Sequence, residues 1–226
     1  MATSRTGLTP IYQEREPLVD RVTQIVRQLI VDGTLRPGDT VSITELASDL
    51  GLSHSPVREA VQRLAGQGLV DLRPGRTAVV AALDIDDLCD IYRLRTFIEV
   101  DAATRAAPDL SDRDLQELRQ QFDRMTELQD SGSEDFWVAH DAFHLILIRR
   151  AISPRVESII VSLWHASVRY IHVVAPSPQH TVGEFHRPLL EMAQARDGAG
   201  MGRELSIHLE RSGGHLIDGL AQILDA

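Results

Sequence analysis

Four histidines in the second half of the chain are the residues whose type and spacing indicate chemistry. His140 and His144 are four residues apart, so on a helix both side chains project from one face. Neutral imidazoles at this spacing suit zinc or a similar borderline metal, and an imidazole-rich site does not separate zinc from nickel or manganese. His186 and His208 each lie within an otherwise apolar pattern, where a histidine is either a ligand or a hydrogen-bonded core residue.

Helices must position these histidines, because the chain follows helical periodicity from Ala82 onwards. Asp84 begins a helix with an apolar stripe, which consists of Leu88, Ile91, Leu94, Ile98 and Ala102. The second helix is expected to begin at Ser111. The third runs from near Ser133 to Ala151, and the fourth begins at Ser153-Pro154. A fifth helix follows the break at residues 176–178. The last helix follows the glycines of residues 198–202 and is weakened by Gly213-Gly214. Six helices with short connections predict an antiparallel bundle over residues 83–226.

A different pattern in residues 17–82 predicts a winged helix-turn-helix domain. Ser42-Ile43-Thr44-Glu45 has the spacing of a capping box that begins a short helix, and Gly51 supplies the turn that ends it. Ser53 is expected to cap the next helix, with Pro56 in its first turn. Two short strands joined by Arg73-Pro74-Gly75-Arg76 complete a basic hairpin. This arrangement is suited to entering a DNA major groove.

The second helix of this motif has an apolar inner face and a polar outer face. Val57, Ala60, Val61 and Leu64 share the inner face. The outer face is expected to meet base edges and phosphates through His54, Ser55, Arg58 and Gln62. Arg73 and Arg76 flank the hairpin turn and are expected to reach a phosphate or a minor groove.

The same segment resembles the DNA-binding domain of GntR-family bacterial transcription regulators. The likeness is carried by Leu35-Arg36-Pro37-Gly38, by residues 50–60 (LGLSHSPVREA) and by Gly68-Leu69-Val70. It implies binding to double-stranded operator DNA and adds Thr44, Ser53 and Gly75 to the expected contact residues. His54 stands where the family usually has arginine, and Thr44 where some members have one. A neutral histidine lacks the two-pronged donor of arginine, so the operator differs from those of relatives or depends more on Arg58 and the wing.

The second half resembles the all-helical FCD domain of the FadR subgroup of GntR regulators. Metal-binding members of that group have an Asp-x-x-x-His pair on one helix and single histidines on two later helices. His144, His186 and His208 match the three histidines, and His140 occupies the aspartate position. The resemblance therefore implies either a four-histidine metal site or one in which Asp141 replaces His140. We favour His140, because Asp141 lies about a hundred degrees away around the helix.

The second resemblance also implies a small carboxylate effector that contacts the metal and a nearby cation. Arg95, in the Arg95-x-x-x-Glu99 motif of the family, is the first candidate cation, and Arg169 is the second. A solvated or helix-pairing role stays open for both. The expected protein is a homodimeric repressor that reads two operator half-sites and is released when the effector changes the spacing of its DNA-binding domains.

Two other interpretations stay open. A regulator with a purely structural metal would bind DNA and sense nothing. A zinc hydrolase would use the His140-x-x-x-His144 helix with Asp141 as general base, because this segment is similar to the His-Glu-x-x-His helix of metalloproteases. Against the hydrolase, aspartate is a methylene shorter than the usual base, and an all-helical domain has no strand edge to position a peptide.

Composition sets the remaining limits. The formal charge is -10, and it resides in the second part of the chain, because residues 1–83 contain nine arginines and nine acidic residues. Residues 1–16 are polar and aperiodic and are expected to form a flexible tail. A single cysteine, Cys89, fits a reducing cytoplasm, and no apolar run approaches the length of a membrane span. We therefore predict a cytoplasmic protein. Since the sequence also has no serine or cysteine nucleophile arrangement and no glycine-rich phosphate loop, we expect that it is not an enzyme.

Overall fold

The computed structural model describes residues 18–31, 33–72, 78–130, 134–174 and 182–225. Its helices and strands in chain order are α1 (Leu18–Val31), β1 (Thr40–Val41), α2 (Ile43–Asp49), α3 (His54–Gly66), β2 (Val70–Asp71), β3 (Ala78–Val80), α4 (Ile85–Ala106), α5 (Asp112–Leu128), α6 (Glu134–Ile148), α7 (Pro154–Val174), α8 (Val182–Ala195) and α9 (Gly198–Leu224). The predicted fold class is confirmed: a helix-turn-helix unit precedes a helical bundle. No described helix combines the length and apolar character needed to cross a bilayer.

The first unit consists of α1, α2 and α3 with a small antiparallel sheet of strand order β1-β3-β2. Its core is formed by one face of α1, the inner face of α3 and the inward residues of the sheet. Val57, Ala60, Val61 and Leu64 are all buried, as their spacing predicts. The sequence did not indicate β1, because two residues are too few to establish an alternating pattern.

The turn between α2 and α3 follows most of the sequence signals, although of the expected capping box the described residues form only the bond that Ser42 accepts. The Ser42 hydroxyl accepts a hydrogen bond from the Glu45 amide at 3.3 Å, and Gly51 turns the chain with a φ of +64°. The predicted side-chain cap at Ser53 is wrong, because Ser53 precedes α3 without making a cap hydrogen bond. A cap side chain accepts a hydrogen bond from the backbone N–H of the second or third residue of a helix. Pro56 is the third residue of α3 and has no N–H, so one of these two donors is missing.

In the bundle, α9 packs antiparallel along α4, and glycines allow the close approach. A Cβ atom at Gly202 would lie 2.3 Å from Thr104 Oγ1, and one at Gly213 would lie 2.8 Å from the Tyr92 ring. The prediction that Gly198–Gly202 precede the last helix, and that Gly213-Gly214 weaken it, is therefore wrong. These glycines lie inside one continuous helix, and at Gly202 and Gly213 packing against α4 offsets their poor helix propensity.

The buried face of α4 differs from the apolar stripe that the sequence indicates. Leu88, Ile91 and Ala102 are buried, but Leu94 is 49% exposed. Arg95 and Glu99 lie inside instead, only 5% and 1% exposed. Apolar periodicity alone missed this orientation because the two charged residues satisfy each other in the core.

Asp114 anchors the start of α5 to the end of α6. Its carboxylate accepts hydrogen bonds from the Ser111 amide (2.8 Å) and hydroxyl (2.6 Å), and it pairs with Arg149 and Arg150. Burial acts to raise the pKa of Asp114, but the hydrogen bonds from Ser111 and the two arginines outweigh burial and hold the pKa well below its usual value. The ionised carboxylate therefore stabilises the fold at neutral pH.

We expect Asp114→Asn to lower the free energy of unfolding by about 3 kcal/mol at pH 7, because two guanidinium groups lose their partner. The folded-state pKa lies below the unfolded one, so the wild type itself loses this stabilisation as the pH falls below about 4. The difference between wild type and variant should therefore shrink between pH 7 and pH 3 in urea unfolding. Asp112→Asn, at a side chain 97% exposed, is the control and should change stability little. A difference that does not vary with pH would contradict the assignment.

Candidate metal centre and nucleic-acid interface

Four histidine side chains from three helices converge inside the bundle. His140 and His144 lie on successive turns of α6, and α8 and α9 bring His186 and His208 against them. One ring nitrogen from each lies within 4.8 Å of the ligand atoms of the other three. The ring centroids are 4.5 Å apart for His140 and His144, and 4.8 Å apart for His186 and His208. The structure thus brings together all four histidines that the sequence indicated.

The surroundings keep these imidazoles in the neutral form that binds metals. His144, His186 and His208 are buried, and His140 is half-buried. Burial, followed by the charges of neighbouring residues, lowers the pKa of His144 and His186 well below the ordinary value. The same causes lower the pKa of His208 to about 3. At neutral pH these rings therefore carry a lone pair available to a cation.

The donor set fits a metal ion better than a hydrogen-bonded core. Within the described part of the chain, both ring nitrogens of His144 and Nδ1 of His208 are buried without a hydrogen-bond partner. Each such atom costs roughly 1–3 kcal/mol, so several at one point favour a site that a ligand compensates. Nitrogens bound to one zinc at about 2.0–2.1 Å would lie roughly 3–4 Å apart, and the four histidine ligand atoms all lie within 4.8 Å of one another.

Asp141 lies next to the cluster, at its edge. Its Oδ1 is 3.3 Å from His140 Nδ1, and its side chain is 41% exposed. A carboxylate in this position orients a ligating imidazole through the nitrogen that does not bind the metal. This contact agrees with His140, and not Asp141, as the fourth member of the group.

A buried ion pair on α4 lies beside the histidines. Arg95 Nε donates to Glu99 Oε1 at 2.9 Å, and Trp164 Nε1 donates to the same oxygen at 2.9 Å. Arg95 NH1 makes a longer contact of 3.5 Å with Ser167 Oγ. The Trp164 ring lies 6.3 Å from that of His144, which links the ion pair to the cluster. The sequence did not indicate Trp164 or Ser167, although their spacing of three places both on one face of α7.

Arg169 lies elsewhere, where the helix-turn-helix unit meets the bundle. Its NH1 donates to the Gly68 carbonyl at 2.8 Å, and its NH2 donates to the Tyr170 hydroxyl at 2.8 Å and pairs with Asp87. The Tyr170 hydroxyl in turn donates to the Asp84 carbonyl at 3.1 Å. Among the described residues, Arg169 has no hydrogen bond or ion pair with the four histidines. The structure therefore does not bring Arg169 to the site for which the sequence indicated it.

The polar face of the helix-turn-helix is open to solvent. The predicted contact residues that the structure describes are all exposed, and they are Thr44, Ser53, His54, Ser55, Arg58 and Gln62. Arg63, on the same helix, is engaged with Asp20 of α1 and with Glu59. Arg58 has no ion pair among the described residues, so its guanidinium is available to a ligand. Arg73, Gly75 and Arg76 of the wing lie outside the described residues.

Two family profiles match the chain. Residues 18–80 match the bacterial regulatory proteins of the gntR family, and residues 90–211 match the FCD domain. The second match alone spans more than half of the 226 residues. Both resemblances inferred from the sequence are thereby confirmed at the level of the two domains.

Relatives share this arrangement over most of their length. The HTH-type transcriptional repressor RspR of Escherichia coli K12 is 28% identical over 92% of this chain and 91% of RspR. The probable D-xylose utilization operon transcriptional repressor of Paenarthrobacter nicotinovorans is 30% identical over 81% of each chain. The solved structure of Escherichia coli McbR/YncC has a TM-score of 0.77 at 25% identity and covers 90% of this chain and 99% of its own. The protein thus belongs to the GntR family of bacterial regulatory proteins and carries an FCD domain behind its helix-turn-helix unit.

Proposed function

We propose that this protein is a transcription repressor whose affinity for operator DNA is controlled by a small carboxylate bound at a metal-containing site. The observation that carries the proposal is the convergence of His140, His144, His186 and His208 within 4.8 Å of one another beside the buried guanidinium of Arg95. Metal and cation together form a receptor for an organic acid. The exposed face of α3 supplies the DNA-reading surface.

The four histidines hold the divalent ion, for which zinc is the first choice among zinc, nickel and manganese. When bound, the ion supplies a Lewis acid for one carboxylate oxygen. Asp141 orients the His140 ring through Nδ1. Burial of His144, His186 and His208 excludes water and keeps the rings neutral, so that metal binding does not compete with protons at neutral pH.

Arg95 is the cation for the effector. Its guanidinium already binds one carboxylate, that of Glu99, and is therefore oriented for a second planar anion. An effector carboxylate competes with Glu99 for Arg95 and shifts the hydrogen bonds that Glu99 and Arg95 make with Trp164 and Ser167 of α7. Binding of an organic acid therefore changes the contacts of α7.

Helix α7 carries this change to the DNA-binding unit. Trp164 and Ser167 face the ion pair, and Arg169, half a turn farther along, donates to the Gly68 carbonyl directly after α3. A shift of α7 changes the position of α3, and in a homodimer it changes the spacing of two recognition helices on operator half-sites. The ligand must bind the DNA-competent and incompetent states unequally for this to occur. Because operator DNA lies in the bacterial cytoplasm, a protein with this function acts there.

We expect Arg95→Lys to weaken effector binding at least tenfold while the affinity for zinc stays unchanged. Lysine keeps the charge that Glu99 requires but lacks the paired donors that match a carboxylate. The test titrates a panel of small mono-, di- and tricarboxylates into zinc-loaded protein bound to operator DNA selected in vitro. Fluorescence anisotropy then measures the affinity for DNA.

Arg105→Lys, on the exposed side of the same helix, is the matched control and should respond as the wild type does. If no carboxylate alters the DNA affinity of the wild type, the proposed switch is wrong. If Arg95→Lys responds normally, the effector uses another cation.

A regulator with a purely structural metal is the second candidate, favoured by the complete set of four protein ligands. In that case, zinc would raise the unfolding temperature and carboxylates would not change it further. A zinc hydrolase has less support, because Asp141 contacts His140 Nδ1 and has no hydrogen bond to a further side chain among the described residues that would orient it as a general base. Asp141→Ala would abolish turnover in a hydrolase and leave DNA binding intact in a regulator.

A further inference from the structure

A groove lies where the end of α3 meets the first half of α7. Its walls come from both units of the protein. The lining includes Gly66 of α3 and, from α7, Arg155, Ser158, Ile159, Ser162 and Leu163. The volume of the groove is about 780 Å³, and small-molecule sites in proteins have volumes of roughly 300–1,000 Å³. Such sites form preferentially between domains, so the size and the position of this groove both fit a ligand.

The contacts between the two units explain why the groove is open at this point. Arg169 NH1 donates to the Gly68 carbonyl at 2.8 Å, and a Cβ atom at Gly68 would lie 3.9 Å from Ala166 Cβ. The units are therefore close together at Gly68, beside the second half of α7. Pro154, at the start of α7, is about 18 Å along the helix from Ala166, and no described residue fills the space between it and Gly66. A ligand in this space would contact both units at once.

The α7 wall of the groove combines apolar and polar side chains. Ile159 and Leu163 are four residues apart on one face of the helix, and Ile159 is 47% exposed. Ser158 and Ser162 have the same spacing and add two hydroxyls beside them. An apolar surface with a small number of polar groups is the usual composition of a ligand site.

Arg155 gives the groove a positive charge in the acidic part of the chain. Residues 84–226 carry the whole net charge of -10, but none of the described residues that line the groove is acidic. Arg149 and Arg150, shortly before α7, pair with Asp114. Arg155 is exposed and has no ion pair among the described residues, so the paired donors of its guanidinium are available to a carboxylate.

We infer that this groove is a second ligand site, and that it binds an apolar monocarboxylate. The carboxylate pairs with Arg155, and the ring or chain of the ligand packs on Ile159 and Leu163. The site is separate from the metal centre, because Trp164, which donates to Glu99 beside the histidines, lies about 160° around α7 from Ser162. A ligand here constrains the joint between the two units, so its binding is linked to DNA binding.

Isothermal titration calorimetry with naphthoate tests the site on the full chain, after dialysis against a chelator and without DNA. A two-ring acid of this size should bind the wild type with a Kd on the order of 0.1 mM. Arg155→Gln should weaken binding at least about tenfold, because charge-assisted hydrogen bonds are lost. Arg211→Gln is the matched control and should bind as the wild type does, because Arg211 is exposed on α9 and has no ion pair among the described residues.

A second pair of variants tests the apolar contact. Ile159→Asp removes apolar surface and repels a carboxylate, so it should weaken binding by about thirty- to a hundredfold. Ile223→Asp is the matched control, because Ile223 is 45% exposed on α9 and outside the groove, and it should leave the Kd unchanged. Naphthylmethanol has the same rings without the charge and should bind the wild type at least about tenfold more weakly than naphthoate. Both isoleucines are partly exposed, so both variants are expected to keep the wild-type circular dichroism spectrum.

Arg95→Lys separates the groove from the metal centre and should bind naphthoate as the wild type does. The inference is overturned if the wild type does not bind naphthoate, or if Arg155→Gln and Ile159→Asp bind it as tightly as the wild type. It is also overturned if Arg95→Lys loses binding while Arg155→Gln keeps it, because the acid then binds beside the histidines.

Operator DNA tests the link between the groove and DNA binding. Saturation with operator DNA selected in vitro should change the Kd of the wild type for naphthoate at least about threefold, because a ligand that contacts both units responds to their arrangement. This measurement alone rests on the proposed function, and an unchanged Kd overturns the link. Naphthoate binding without DNA decides the site itself, so a protein that ignores every acid at its metal centre fails the proposed function and leaves the groove standing.

Discussion

Replacing His208 with leucine is expected to abolish the stabilisation that a divalent metal gives this protein. For the wild type, zinc in large excess over its Kd should raise the unfolding temperature by about 8–16 °C relative to protein treated with a chelator. Zinc at a thousand times its Kd stabilises the folded protein by roughly 4 kcal/mol. In a chain of this size, each kcal/mol of stabilisation raises the unfolding temperature by about 2–4 °C. The leucine variant should show almost none of this increase.

The same substitution should leave the metal-free protein about as stable as before. His208 is buried with Nδ1 unpaired, so leucine, which has a similar volume, removes this unsatisfied atom and thereby offsets the lost hydrogen bond to the Phe185 backbone. Differential scanning fluorimetry with and without zinc separates the two effects. His215→Leu, two turns along the same helix, is the matched control and should retain the full response to zinc. If His208→Leu keeps the response, or if the wild type has none, the four histidines do not form a metal site.

Replacing Arg58 with alanine is expected to lower operator affinity by about a hundredfold or more. Arg58 projects from the exposed face of α3 and has no ion pair among the described residues. One arginine contact with a base contributes roughly 1–3 kcal/mol, and a dimer loses it at both half-sites. Anisotropy titrations at several salt concentrations distinguish a base contact, which discriminates between sequences, from a phosphate contact, which mainly changes the salt dependence.

Arg155→Ala is the control for this experiment, because Arg155 is exposed at the start of α7 in the bundle and has the same charge. It should change operator affinity less than about threefold. Equal losses in the two variants would mean that net charge, and not the position on α3, determines binding. An unchanged Arg58→Ala protein would remove α3 as the reading helix.

Much of the helix-turn-helix was predictable because its signals are local. Ser42 and Glu45 are three residues apart, Gly51 is a residue type that reaches a positive φ without strain, and the inner residues of α3 follow a 3.6-residue period. The predicted Ser53 cap is wrong, and one contributing cause is also local, because Pro56 lacks one of the two amide hydrogens that a cap can accept. Short-range rules operate within one turn of chain, so the sequence contains most of the information that they need.

The bundle was predictable in its helices but less so in their orientation. The spacing of His140 and His144 put two imidazoles on one face of α6, but that spacing says nothing about α8 and α9. Only packing brings His186 and His208 against that face. Glycines that signal a helix end in isolation are instead the sites where α9 approaches α4.

The sequence by itself determined the helices of both units, the polar face of α3 that we propose to read DNA and the four residues with the chemistry of a metal site. Tertiary structure alone decided that Leu94 faces solvent, that Arg95 is buried against Glu99 and that Arg169 joins the two units through Gly68. Periodicity reports which residues share a face of one helix, because that depends only on the rise and turn of the backbone. Which neighbour meets that face depends on contacts between residues distant in the chain, and a single sequence does not encode these in any local pattern.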